Sequence, residues 1–430
     1  MKGVPSYEIT KSILPEKVSI SPKEFRGIKP KLIVSEGDKV ETGSPLFFDK
    51  LKPKVKWASP SSGVVTNIQY GARRVIEKIE ITVEDKRPDL SKSFSSSQLN
   101  TADRDTILKS ILDACIFPLI RQRPFNKVAN PDEIPRDIFI SAYNTAPLSV
   151  NLSKIIQDNK DEFQAGLTVL SKLTEGSVYF TSQELMEFNN AINVTISGPH
   201  PAGNVGIQIH HIKPINPGEV VWTVNAQHVI TIGKLFQKGY YDPKCILSIG
   251  GSGSSNPQTV EALVGSNIES LLKDQLLDGF LRIVSGDVLT GKKVNTDDYL
   301  GFYDSSVTII NDNVKRPFLG MLAVGSTSTK YSLTNTFLST GANEFDFTTS
   351  QNGELRAIVP LNAWEKMLPM DILPNPLYRA ILAQDIEEME QLGIWECDDE
   401  DFALCSFACP SKIDVGSVIR DGLDLIENDG

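Results

Sequence analysis

The sequence predicts an α+β, multidomain fold: a small β-barrel, a layered Rossmann-like α/β domain, a β-grasp module and a C-terminal helical domain, in that order. Three observations carry the reading. Residues 31–83 are short β-branched runs punctuated by Gly and Pro, residues 106–238 alternate helical and buried-strand patterns, and from Lys244 one short helix lies among a few strands before the text turns helical at Met370. A chain of 430 residues is also too long for a single core, so several modules are expected.

In the first module, Leu32–Val34, Gly37–Val40, Gly43–Leu46, Val55–Trp57, Ser59–Val65 and Ile76–Ile79 are too short and too often broken for helix. The stretch 86–105 is Ser-rich and poor in apolar residues, so it reads as a linker or surface loop. Beyond it, helices are expected at Thr106–Cys115, Leu148–Lys160, Leu167–Leu173, Ser182–Asn190 and Gln227–Lys238. Strands are expected at Asp137–Ala142, Val178–Phe180, Ala191–Ser197 and Val220–Val224. Asn225 is the expected cap of the last of these helices and Gly239 its stop.

The β-grasp module follows from strands at Ile246–Ile249, Val260–Leu263 and Gly279–Val284 around a helix at Ser266–Lys273. Strands at Val307–Ile310 and Ala357–Val359 come next, with Asn352-Gly353 as a hairpin turn, and then one helix from Leu377 to Leu392. The expected division is 1–95 for the barrel, 100–242 for the α/β domain, 243–300 for the β-grasp module, 301–368 for a β segment packing back on the barrel, and 369–430 for the helical domain.

Composition narrows the function. With 40% apolar and 23% charged residues the chain is globular, and a net charge of −11 disfavours a nucleic-acid partner. Five scattered cysteines make no disulfide framework, the N-terminus lacks a signal-peptide core, and no apolar run approaches the roughly 20 residues of a membrane span. A reducing compartment, the cytoplasm, is expected.

The residues that could carry chemistry are few. Cys405 and Cys409-Pro410 fit the back half of the C-x2-C-x2-C-x3-C-P run of a bacterial ferredoxin, but the first two ligand positions fall on Asp399 and Phe402, and Cys397 lies two residues off register. The run reads as a relic, with its cysteines as small buried residues. All four histidines, His200, His210, His211 and His228, fall within 29 residues. Val205–Lys213 reads as extended, which points His210 and His211 to opposite faces and makes His211 part of an apolar face. His200 lies in a Gly- and Pro-dense loop at the carboxyl end of a strand, where α/β sheets bind ligands. The loop Gly250-Gly-Ser-Gly253 lacks the third glycine of a dinucleotide fingerprint, and Arg121, Arg123 and Phe125 suggest a salt-bridged corner.

Two resemblances follow from longer motifs. Glu36-Gly-Asp-Lys-Val40 with Ser59-Pro-Ser-Ser-Gly63 resembles the biotinyl/lipoyl-type hammerhead, whose modified lysine would fall near Lys52 or Pro53, so a carried cofactor on Lys50 or Lys52 is the alternative to a purely structural barrel. The same segments, with Arg121–Phe125, Gly198–Gly206, Phe347–Gly353, Met370–Pro374 and Leu404–Pro410, are similar to the A subunit of the sodium-translocating NADH:quinone oxidoreductase (Na+-NQR). That family is related to the flavoprotein of complex I and to the C subunit of the Rnf complex.

The resemblance implies an SLBB-like β-grasp module and a peripheral subunit on the cytoplasmic face of the bacterial inner membrane. Its partners would be membrane subunits of the pump, the B subunit above all, and NADH, FAD, FMN, riboflavin and iron–sulfur would belong to other subunits. It implies no cofactor or metal on this chain and no catalysis by the isolated chain, with ubiquinone as candidate ligand near His200, Gly203, Gly206, His210 and Trp222. The rival expectation is a free-standing FMN-binding electron-transfer subunit.

Overall fold

The computed structural model describes residues 1–84, 95–312, 344–359 and 362–429. The barrel is built from two small sheets. One is ordered Lys17–Ile20, Ile76–Val83, Gly63–Tyr70, Lys39–Val40 and the other Pro30–Leu32, Pro45–Asp49, Lys56–Ala58. They share a core of Val18, Ile20, Leu46, Phe47, Trp57, Val65, Ile79 and Ile81. Cross-strand partners Phe47 and Trp57 stack with ring centroids 4.6 Å apart, the kind of pair that fixes register in so short a sheet.

The hairpin loop that would present a modified lysine is tied down. Asp49 is buried and accepts hydrogen bonds from the Lys29 and Leu51 amides at 2.9 and 3.0 Å, and Lys54 pairs with Asp132 of the next domain at 2.6 Å. Close by, the Ala58 amide donates to the Cys115 carbonyl.

In the α/β domain the sheet order is Lys127–Val128, Ile120–Arg123, Val221–Asn225, Ile138–Ser141, Val178–Ser182, Ile192–Thr195. The last four strands are parallel and Ile120–Arg123 joins them antiparallel. Helices Lys160–Ser171 and Ala226–Lys238 cross closely because Gly166 and Gly233 leave their contact bare; a Cβ on either would overlap a backbone carbonyl of the other helix. The second helix starts where expected, with Asn225 accepting from the Gln227 amide, and stops at Gly239 in the left-handed region.

The β-grasp sheet is ordered Ile9–Ser12, Gln258–Leu263, Lys244–Gly250, Ser306–Asn311, Leu281–Ser285, Lys292–Val294. Ile268, Leu271 and Leu272 from the helical turn Ile268–Leu271 cover Leu247, Ile249, Val260 and Ile309. The helical domain packs Pro374–Ala383, Ile386–Gln391, Ala403–Ala408 and Val415–Asp429 around Trp364, Leu377, Met389, Phe402, Cys405 and Leu423. Among the described residues no helix is long and apolar enough to cross a membrane.

Several expectations give way to packing. Val205–Ile212 is a helix, not a strand. It is apolar on nearly every side because Ile207 enters the helical-domain core while Ile209 packs with Phe139, Ile215 and Val221, so its periodicity carries no helical signature. Ser182–Asn190 is not helical beyond the strand ending at Ser182; Phe188 instead wedges against Phe163 and Phe180. Part of the expected linker is a helix, Ser96–Thr101, opened by a capping box between Ser95 and Gln98; residues 85–94 lie outside the described part.

The strand Ser306–Asn311 belongs to the β-grasp sheet rather than the barrel, since its hydrogen bonds go to Lys244–Gly250 and Leu281–Ser285; residues 313–343 are outside the description. Residues 357–359 form no strand, and Asn352-Gly353 joins none. Ser411 engages this segment through its carbonyl, which accepts from the Arg356 amide, and its hydroxyl, which donates to the Ala357 carbonyl. The expected helix Leu377–Leu392 is two helices, broken where Gln384 adopts φ 57° and Asp385 caps the next. Finally, the first residues leave the barrel, and Ile9–Ser12 becomes a parallel edge strand of the β-grasp sheet.

The barrel and the β-grasp module meet at a buried carboxyl. Glu24 accepts the Phe302 amide at 2.6 Å, and burial, with Asp304 nearby adding to it, pushes its pKa up to about 7. Because the folded value lies above the usual 4.5, stability is full below about pH 4.5 and falls as pH rises through about 7. Glu24→Gln should therefore stabilise the chain at pH 8, by about 2 kcal/mol after discounting for partial exposure, and change little at pH 4.5. Urea midpoints at the two pH values check this.

Candidate functional site at the seam of the α/β and helical domains

The parallel strands end at a loop, 196–204, that runs from the edge strand Ile192–Thr195 into the helix Val205–Ile212. Polar contacts from the strand Ile138–Ser141 and the residues after it fix its shape. The Tyr143 hydroxyl donates to the Gly198 carbonyl at 2.8 Å, the Ser141 hydroxyl to the Gly203 carbonyl at 3.2 Å, and the Gly203 amide to the Thr145 hydroxyl at 2.9 Å. Thr145 in turn meets His200 Nδ1 at 3.1 Å.

A Cβ at Gly203 would stand 2.5 Å from the Thr145 amide nitrogen and 2.6 Å from the Tyr143 carbonyl oxygen, so only glycine lets the two loops approach. Gly206 has a comparable reason. Its missing side chain leaves room for the Asp401 carboxyl against the N-terminal turn of the helix.

Between this loop, the helix and residues 366–369 of the helical domain lies a cavity of about 380 Å³. Val194, Ile196, Ile207, Ile212, Met367 and the prolines make its apolar walls, while Thr195, Ser197, His200, His211 and Lys366 are its polar groups. Burial lowers the pKa of His200, against the pull of Asp287 and Glu400, so its ring is neutral, and its Nε2 has no hydrogen-bond partner among the described residues.

His210 and His211 do not point to opposite faces. On the last turn of the helix their rings meet edge-on at 5.2 Å, and both reach the helical domain. His210 Nδ1 lies 2.8 Å from Glu396 and its Nε2 3.0 Å from the Asp371 amide; His211 Nε2 donates to the Pro369 carbonyl at 2.8 Å. His211 is exposed rather than part of an apolar core. Trp222 is elsewhere, fully buried in the central strand with Phe117 edge-on at 5.8 Å. Thus His200 lines the cavity, Gly203 and Gly206 shape its neighbourhood, His210 sits beside it, and Trp222 has no part in it.

The salt-bridged corner expected at Arg123 lies beneath the seam, but sequence reasoning missed its acidic partners. Arg123 is 2% exposed and meets Asp398 at 3.1 Å, Glu400 at 2.5 Å and Asp401 at 3.7 Å. Arg420 binds Asp398 and Asp399, and Arg26 of the barrel reaches Asp399 at 2.9 Å. Burial works against the Arg123 charge, but the three carboxylates outweigh it and hold the guanidinium protonated. Burial also pushes Asp398 up to about 6 in spite of Arg123, and drives Asp401 well up; Asp399, despite burial, is held low by Arg26 and Arg420. Four consecutive acids after a cysteine were the available signal.

The ferredoxin-like positions do not fit a cluster. Asp399 is committed to two arginines and Phe402 is fully buried in the helical core. Cys405 points its thiol at the Trp364 carbonyl, and burial pushes its pKa up to about 12. The space beside Asn225, at the end of the strand Val221–Asn225, is small. Gln227 clasps the Ile246 backbone of the β-grasp strand at both N and O, and the space left there, about 30 Å³, suits a water molecule.

Arg123→Met would leave Asp401 buried without its counter-ion and Asp398 with Arg420 in place of two close guanidiniums, a change that costs about 3 kcal/mol at neutral pH. Part of the loss should be recovered near pH 5, where those carboxyls protonate; urea midpoints at both pH values measure it. Gly203→Ala should cost about 1–3 kcal/mol, because backbone atoms cannot yield as a side chain would; the thermal midpoint reads that loss.

Three family models match along the chain: the NqrA N-terminal barrel-sandwich hybrid domain over residues 1–84, the NqrA second alpha/beta domain over 102–241 and the NQRA C-terminal domain over 246–296. Curated relatives extend the match end to end. The A subunit of the Na(+)-translocating NADH-quinone reductase of Saccharophagus degradans is 37% identical over 100% of this chain and 97% of its own length. Those of Pasteurella multocida and Vibrio anguillarum are each 37% identical, over 100% of this chain and 98% and 97% of theirs. Among solved structures, a chain of the NAD+-reducing nickel–iron hydrogenase in its hydrogen-reduced state gives only a loose likeness, at a TM-score of 0.37, 10% identity and coverage of 49% of this chain and 47% of that one. With full-length relatives at this identity and all three domain models in chain order, the protein belongs to the NqrA family, the A subunits of the Na(+)-translocating NADH-quinone reductase.

Proposed function

We propose that the chain is a peripheral subunit on the cytoplasmic face of a respiratory sodium pump that couples NADH oxidation and ubiquinone reduction to Na+ export. In this reading it docks on the membrane subunits, the B subunit above all, carries no redox centre of its own, and offers the seam cavity to the head group of a quinone. The cavity carries the proposal. Its volume of about 380 Å³ and mostly apolar walls suit a substituted ring, and His200 stands among the few polar groups that could meet a ring carbonyl. The Gly203 amide already donates to the Thr145 hydroxyl; when that hydroxyl donates to Nδ1 of the neutral His200 ring, the proton resides on Nε2, a buried donor without a partner that a ring carbonyl could take up on a small shift of the side chain.

The flavoprotein alternative finds less support. Its ligand would sit at the strand ends, and the space beside Asn225 and Gln227 there, about 30 Å³, does not admit an isoalloxazine ring. A lysine-borne cofactor is disfavoured by the barrel hairpin, whose loop is pinned by Asp49 and docked on the α/β domain.

Titration of the purified chain with a short-chain ubiquinone, followed by intrinsic tryptophan fluorescence, should saturate. Met367→Trp, which fills the cavity from its rim, should weaken binding about tenfold or more while thermal stability is retained. No saturable change in the parent chain, or equal affinity in the filled variant, removes the quinone from this cavity and leaves the docking role standing. Crosslinking in membranes, with membrane subunits as the main products, tests that role separately.

A further inference from the structure

We propose that the cavity continues into a subsite for a prenyl chain, an apolar row on the edge strand Ile192–Thr195 that leads an isoprenoid tail from the cavity to the open margin of the sheet. This rests on the quinone reading given above and adds recognition of the tail to recognition of the ring. The strand is the last of its sheet and, among the described residues, pairs on one side only, with Val178–Ser182. Its ladder reaches Ile196, whose amide donates to the Ser182 carbonyl at 2.9 Å. Side chains alternate along a strand, so Ile192, Val194 and Ile196 share one face. Their cross-strand partners identify that face. Tyr179 lies opposite Ile192 and Thr181 opposite Val194, and Thr181 hydrogen-bonds to Gln208 of the helix Val205–Ile212. The row therefore runs along the face that this helix covers, at its outer margin.

The row begins inside the cavity and ends outside it. Val194 and Ile196 are wall residues, as is Ile212 on the last turn of the helix, whereas Ile192 lies beyond the wall and is 48% exposed. From Ile196 to Ile192 the strand advances about 13 Å. Beside Ile192, the Tyr179 ring is stacked on Phe139 at 5.0 Å, and Tyr179 and Ile212 pack against the same buried cluster, so the margin has a fixed aromatic flank. A single exposed isoleucine is ordinary surface; its continuity with the cavity wall is what marks this one. Polarity is divided along the same line. His200 and Ser197 stand at the loop end, where ring carbonyls would lie, and toward the other end His211 has already committed Nε2 to the Pro369 carbonyl. A ligand with a polar ring and a branched hydrocarbon chain matches that division, whereas a compact polar ligand would leave the outer half of the row uncovered.

Equilibrium dialysis of the full chain against ubiquinone analogues that share one ring and carry no, one or two isoprene units tests the subsite. The first unit should tighten binding about tenfold, which burial of roughly two methylene groups supplies, and two units should bind more tightly than one. Ile192→Asp places a carboxylate on the path, so it should weaken the tailed quinones about tenfold and the tailless one at most about twofold. Ile192→Thr, which keeps the β-branched shape a strand favours, should lose part of the tail's gain, and Ile192→Leu should keep it. A tail that adds nothing, or a gain that survives at full size in both Ile192→Asp and Ile192→Thr, overturns the subsite while saturable binding of the tailless quinone leaves the cavity reading standing. No saturable binding of any of the three analogues overturns both.

Discussion

Arg123 is the interaction on which the assembly of this chain depends. It sits at the end of the antiparallel strand Ile120–Arg123, almost without solvent, and meets carboxylates contributed by a segment more than two hundred residues later. Arg420 and Arg26 complete the network, so barrel, α/β domain and helical domain each supply charge to one site. Three guanidiniums, of Arg26, Arg123 and Arg420, face four carboxyls, Asp398 to Asp401, and the imbalance is resolved by proton uptake: Asp401, the most enclosed against Gly206, is driven toward its neutral form. A hydrophobic seam would hold these domains as firmly, but it would not specify their relative placement as three directional guanidiniums do.

The same network occupies part of the ferredoxin-like spacing at the end of the chain. Cys405 and Cys409 are small buried residues, whereas the other two positions of that spacing hold side chains that no cluster would use. Asp399 is an ion-pair hub, and Phe402 fills the space among Leu377, Met389 and Leu423. Where a cluster would cross-link a helical domain internally, charge here ties that domain outward to its neighbours. Thiols pushed up by burial, as at Cys405, are poor starting points for thiolate ligation.

What could be read from the residues follows from how local each signal is. The barrel strands, the helix Ala226–Lys238 with its Asn225 cap and Gly239 stop, and the alternation that makes a parallel sheet all rest on near neighbours, and all were legible. The helix Val205–Ile212 was not, because it lies between two cores and Ile207 and Ile209 serve different ones; with apolar groups demanded on opposite sides, spacing ceases to distinguish helix from strand. Strand Ser306–Asn311 was misplaced for a related reason, since its partners are chosen by the sheet and not by its own sequence. In the site, His200 and its loop were found from Gly and Pro density. Trp222 was drawn in by proximity along the chain, although a tryptophan in a central strand is first of all core.

That doubly buried helix also explains why the cavity lies where it does. A parallel sheet offers its ligand crevice at the strand ends, and here Gln227 and the β-grasp strand fill the space beside Asn225. The opening lies at the far edge of the sheet, where the loop after Ile192–Thr195 must climb over the last strand to reach the helix. Glycines at 203 and 206 let the loop and the acidic turn close tightly on the inner side, and the cavity lies on the outer side, toward Lys366 and Met367. The void is therefore bounded on one side by a rigid sheet edge and on the other by a segment held through histidine side chains. The second is attached by the Asp371 amide, which donates to His210, and by His211, which donates to the Pro369 carbonyl.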